Sequence, residues 1–163
     1  MGLQDKSRPR TEPVSLPSAQ TQPVAVLTGM VINVPELLGK SRTDVEAVVG
    51  QPDIPHDPLA QNKPRDQHTE TVPYSVQFQH VEITYNDDKA EKFTIELSNP
   101  AGSAADAIRA FNIDATQLTG SENGDTATYS GRLPNIDGNI TVTAHRAEVD
   151  KWTRVEASGW VKR

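Results

Sequence analysis

The stretch "VEITYNDDKAEKFTIELS", residues 81–98, decides how this chain folds. Apolar side chains fall on alternate positions, first Val81, Ile83 and Tyr85, then Phe93, Ile95 and Leu97. Glu82, Thr84, Thr94 and Glu96 stand between them. Because successive residues of a strand point to opposite faces, this spacing predicts two strands, each with one apolar side. Asn86, Asp87 and Asp88 tolerate left-handed backbone and bond to their own chain, so "NDDK" reads as a tight turn. The stretch is a hairpin.

A second stretch, "ITVTAHRAEVDKWTRVEAS" (residues 140–158), carries nearly the same pattern. Ile140 aligns with Val81, and "KWT" at 151–153 aligns with "KFT" at 92–94. Arg154 is then one residue too many, which predicts a β-bulge that returns Val155 and Ala157 to the inward face. Upstream of the first hairpin, "YSVQFQ" (residues 74–79) predicts a further strand with Tyr74, Val76 and Phe78 inward. "YS" at 129–130 is its counterpart in the second half.

Helix signals precede each set of strands. In "PELLGKSRTDVEAVVGQP" (residues 35–52), Pro35 opens a short turn that Gly39 ends. Ser41 is placed to cap a second helix with Asp44 three residues on. Val45, Val48 and Val49 share a face, and Gly50 and Pro52 stop it. In "SAADAIRAFN" (residues 103–112), Ser103 and Asp106 repeat the cap, Ala107, Ala110 and Phe111 take the apolar positions, and Asn112 takes the place of Gly50. These matches predict an α+β protein made by internal duplication. Two tandem units each carry a helix or helix–loop–helix and a three-stranded antiparallel meander, with the helices packed on one sheet face. The expected boundaries are a Pro/Gln/Ser-rich linker at 1–22, a first unit at 23–98 and a second at 99–163, the two units forming one domain.

The phrase "LLGKSRTDVEAVVGQPD" (residues 37–53), followed by the hairpin at 81–98, resembles the β-lactamase-inhibitor-protein-like fold. The single unit is similar to small outer-membrane lipoproteins of the SmpA/OmlA type. That resemblance implies a bacterial, extracytoplasmic, non-catalytic module that binds other proteins through its surface. Inhibitors of this type carry disulfides, whereas this chain has no cysteine, and no inhibitory loop can be matched.

Composition narrows the function classes. The chain has 163 residues, a net charge of −6 and no cysteine, so disulfides, thiolate metal sites and cysteine nucleophiles are excluded. No apolar run approaches the roughly 20 residues that cross a bilayer. The one basic cluster, "KSRPR" at 6–10, lies in a Pro-containing tail, and no nucleic-acid partner is expected. A linker-like opening would suit a chain from which a signal or membrane anchor was removed.

No phosphate loop, dinucleotide fingerprint, Gly-x-Ser-x-Gly or His-Glu-x-x-His motif is present, and no catalytic residue or cofactor is expected. His56 and His68 lie in a polar loop at 51–72 with Asp57, Asp66 and Glu70. They define one alternative, a small metal-dependent hydrolase, although their spacing matches no compact zinc pattern. A structural spacer is another. The leading expectation is a protein partner bound on the outward sheet face. That face comprises Gln77, Glu82, Thr84, Thr94 and Glu96 in the first half and Thr141, Thr143, Arg154 and Glu156 in the second. Trp160 is its aromatic anchor, and Trp152 belongs to the core.

Overall fold

The hairpin at 81–98 forms as its alternation requires, and the rest of the sheet is assembled on it. A computed structural model describes residues 27, 29–53, 69–133 and 137–162. Its strands are β1 (Thr69–Val76), β2 (Gln79–Asn86), β3 (Lys89–Ala101), β4 (Thr119–Asn123), β5 (Thr126–Gly131), β6 (Gly138–Glu148) and β7 (Lys151–Val161). They make one seven-stranded sheet in the order β1-β2-β3-β7-β6-β5-β4, with every pair antiparallel.

This single sheet overturns the expected pair of tandem units, each with its own helices and meander. β3 pairs directly with β7, setting Phe93 opposite Ala157 and Ile95 opposite Val155. A three-stranded meander leaves the backbone groups of its last strand unpaired on one side. Joining β3 to β7 satisfies both at once, a long-range pairing that a hairpin pattern does not encode. The second half also holds four strands, because "TGSEN" forms β4 without any apolar alternation.

The register corrects the alignment of the two hairpins. Two-residue turns close them at Asp87–Asp88 and Val149–Asp150, so Lys151 holds the place of Lys89, and Lys92 that of Arg154. A bulge occurs in both: Glu91 is the extra residue between the Tyr85–Ala90 and Thr84–Lys92 rungs, and Thr153 between Arg146–Trp152 and His145–Arg154. The bulge expected at Arg154 thus lies one residue earlier, and Trp152, Val155 and Ala157 all point inward and are buried.

Phe78 is a second correction. β1 ends at Val76, and Gln77 and Phe78 form the turn with φ of 51° and 64°, which leaves Phe78 fully exposed. Strand periodicity carried past the turn had assigned it to the core.

The helices are short: α1 (Val34–Leu37), α2 (Arg42–Val49) and α3 (Ala104–Ile108), with 3₁₀ turns at Arg109–Phe111 and Ala115–Gln117. Their caps are those the sequence announces. Ser41 Oγ accepts from the Asp44 N–H at 3.2 Å and Ser103 Oγ from the Asp106 N–H at 3.1 Å. Gly50 ends α2 at φ 96°, and Asn112 takes a left-handed conformation after Phe111. Asn112 is buried yet satisfied: its Oδ1 accepts from the Leu27 N–H and its Nδ2 donates to Asn33 Oδ1. Residues 31–32 do not form a strand; the N–H groups of Val31 and Ile32 both donate to the Ala110 carbonyl.

One core results. Leu37, Val45, Ile108 and Phe111 meet Tyr74, Ile83, Phe93, Ile95, Val142 and Val155 from the sheet. The expected apolar face of α2 is only partly realised, since Val45 is buried while Val48 is 59% exposed. The linker at 1–22 lies outside the described residues, as does most of the 51–72 loop; residues 69–72 of that loop belong to β1.

Candidate interaction surface

The outward face of the sheet follows from the register. One rung sets Pro73, Glu82, Thr94, Glu156, Thr143, Thr128 and Ser121 side by side across all seven strands. The next carries His80, Glu96, Arg154 and His145, and on the other side lie Thr84, Lys92, Ser158 and Thr141. Of the residues expected on this face, Glu82, Thr84, Thr94, Glu96, Thr141, Thr143, Arg154 and Glu156 are all brought together. Trp160 stands on the same face, opposite Asn139 and 56% exposed. Gln77 is not there; it belongs to the β1–β2 turn.

Glu156 is the hub of the charged half. Its Oε2 lies 2.9 Å from His145 Nε2, and its Oε1 lies 3.3 Å from Lys92 Nζ and 3.8 Å from Arg154 Nη2. Arg154 also reaches Glu96 at 3.7 Å. Partial burial alone would raise the Glu156 carboxyl. The hydrogen bonds from His145 and Lys92 and the charge of Arg154 outweigh it and hold the group below the usual carboxylate range. His145 is thus a strand residue paired with a carboxylate. His80 lies exposed beside Glu82 at 3.5 Å. The half formed by β4, β5 and β6 carries uncharged hydroxyl and amide side chains: Thr119, Ser121, Asn123, Thr126, Thr128, Ser130, Thr141 and Thr143. This arrangement can bind by hydrogen bonds and matched charge.

Sequence reasoning missed a polar cluster on the opposite face. Arg42 Nε donates to Glu46 Oε2 at 2.8 Å and Arg42 Nη1 to Glu70 Oε1 at 2.9 Å. Tyr74 OH donates to the same Glu46 oxygen at 2.7 Å and is 2.7 Å from Tyr85 OH. The guanidinium lies 6.0 Å from the Tyr85 ring centre. Burial lowers the Arg42 pKa, but Glu46 and Glu70 reverse that and raise it. Burial pushes Tyr85 up to about 12, and burial with the bonds to Tyr85 and Glu46 raises Tyr74 further. The available signal was the i, i+4 pair Arg42–Glu46 within α2.

His56 and His68 lie outside the described residues. Among the described residues no group of three or more His, Asp or Glu side chains is placed to hold a metal ion. No described helix is long and apolar enough to cross a membrane. A shallow apolar dimple lined by Leu38, Leu133, Ile140 and Val161 has room for about one water molecule.

No protein-family model and no curated protein matches this chain. Among solved structures it is similar to an extracellular protein containing a SCP domain from Bacillus anthracis. That match has a TM-score of 0.42 and 10% identity, and covers 85% of this chain and 48% of the other. It is also similar to a cysteine-rich secretory protein from Staphylococcus aureus, with a TM-score of 0.43 and 11% identity, covering 80% and 47%. This chain therefore spans about half the length of either. The single continuous seven-stranded sheet, in place of two helix-plus-meander units, corrects the resemblance drawn from residues 37–53 and the hairpin.

Proposed function

We propose that this protein is a non-enzymatic protein-binding module that works outside the bacterial cytoplasm and binds its partner on the outward sheet face. The observation that carries the reading is the Glu156 hub. Glu156, Lys92, Arg154, His145 and Glu96 form one charge-paired patch at the centre of the sheet, with the exposed indole of Trp160 on the same face. A central patch of fixed charges selects partners by complementarity and speeds encounter, and a neighbouring Trp supplies contact area.

The test is site-specific photocrosslinking in cells of the source organism, with the crosslinker at Trp160 and, as a control, at Asp88 in the β2–β3 turn. A discrete protein adduct from position 160, absent from position 88 and lost on Glu156→Lys, is expected. Equal adducts from both positions, or indifference to Glu156→Lys, would refute it.

A further inference from the structure

β4 adds nothing to the core. All five of its residues, "TGSEN", are exposed. It is held by its ladder to β5 and by the Tyr129 ring, which lies across Gly120 so closely that a Cβ there would collide with it. Only glycine admits that contact, which screens an otherwise bare stretch of edge backbone. No described residue makes a backbone hydrogen bond to the far edge of β4.

The opposite edge of the sheet is closed. The Asp53 N–H donates to the Pro73 carbonyl at 2.9 Å, and Ser75 Oγ donates to Asp53 Oδ2 at 3.0 Å. The N–H and C=O of a strand residue point to the same side, so the donor that Pro73 lacks is missing on that edge. Proline and covering loops are the usual devices against edge-to-edge pairing. β4 has neither.

We propose that β4 is a pairing edge for a second copy of this chain, antiparallel about a two-fold axis at Ser121. In that register all five residues pair: Ser121 faces Ser121 of the second copy, Glu122 faces Gly120, and Thr119 faces Asn123. Centring the axis on Glu122 would set two carboxylates opposite each other, and centring it on Gly120 would leave Glu122 and Asn123 without partners inside the strand. Only the Ser121 register is complete and free of like-charge contact. The two helical layers then lie on the same side of a continuous sheet, as a closed isologous dimer requires. A five-residue edge is small for a specific interface, so the association is weak, with half-dimerisation at roughly 0.1–1 mM chain.

Sedimentation velocity across that concentration range tests it. Ser121 is exposed on the outward face, so Ser121→Glu and Ser121→Lys each keep the fold, which circular dichroism checks. Wild type is expected to show a concentration-dependent shift towards dimer. Each variant alone is expected to remain monomeric, because like charges meet on the axis, and an equimolar mixture to dimerise again in a salt-sensitive way. A wild type that stays monomeric at 1 mM overturns the proposal. So does a single variant that dimerises like wild type, or a mixture that does not dimerise.

Discussion

Replacing Tyr74 by Phe isolates the network that fastens α2 to the sheet. The Tyr74 ring is fully buried, so the substitution keeps its shape and removes one oxygen. That oxygen makes two 2.7 Å hydrogen bonds, one to the Glu46 carboxylate and one to Tyr85 OH. A bond to a charged group contributes about 1.5–3 kcal/mol and a neutral one about 1 kcal/mol. Glu46 keeps Arg42 as a donor after the change, so part of the loss is recovered, and a net destabilisation of about 2–3 kcal/mol is expected. Tyr85→Phe removes only the neutral bond and should cost about 1 kcal/mol. The double variant should be less destabilised than the sum by about 1 kcal/mol, because the shared bond is lost only once. Urea unfolding reads these values as midpoint shifts at constant slope, roughly 1–2 M for Tyr74→Phe. α2 buries only Val45 completely, so amide exchange over residues 45–49 should accelerate most. A Tyr74→Phe midpoint within error of wild type, or strictly additive single and double variants, would refute the claim that the network holds the helix.

The remaining predictions concern a turn and two titrations. Gln77→Asn with Phe78→Gly should raise stability by about 1–2 kcal/mol in urea unfolding, since both positions have positive φ and Phe78 makes no buried contact to lose; a lower midpoint would contradict the turn geometry. Glu156 is held below its ordinary value in the folded chain. Its contribution is therefore complete above about pH 5 and is lost as pH falls through the depressed folded value, and Glu156→Gln should flatten the acid limb of the stability curve. Tyr74, Tyr85 and Tyr129 are all raised, chiefly by burial, so the unfolded chain ionises first and stability should fall above about pH 10. Absorbance at 295 nm should show little tyrosinate in the folded protein at that pH, and a full phenolic transition there would show that the rings are open to solvent.

What the sequence disclosed was local. Caps at Ser41 and Ser103, stops at Gly50 and Asn112, and the "NDDK" turn each depend on contacts within a few residues, and each is found where it was expected. The pairing of β3 with β7 joins residues far apart in the chain, and nothing in either strand's alternation names its partner. Phe78 was misplaced because alternation continues through a turn of ordinary residues, where Asn-Gly would have signalled the reversal. β4 escaped because an edge strand with no buried side chain has no apolar period to read. The outward face was legible, since fixing the inward residues fixes the others. Its hub was not, because the closeness of Lys92, His145 and Glu156 depends on three strands meeting in register.

The sidedness of the sheet also limits how the outward face can bind. Acidic and basic side chains on it are confined to β2, β3 and β7, with the His145 imidazole on β6, and they are already paired with one another. Burying a satisfied ion pair costs desolvation that its own attraction has no surplus to offset, so a partner gains affinity only by adding donors and acceptors around the pairs. The half-buried Thr143 beside Glu156 and the exposed Thr141 on the same strand offer hydroxyls that can serve as either. Contact area must come from elsewhere on the face, and the exposed Trp160 ring at the end of β7 is where it is concentrated. On the function proposed above, a partner for this surface would pair a polar, charge-complementary centre with an apolar pocket displaced towards the C-terminal end of β7.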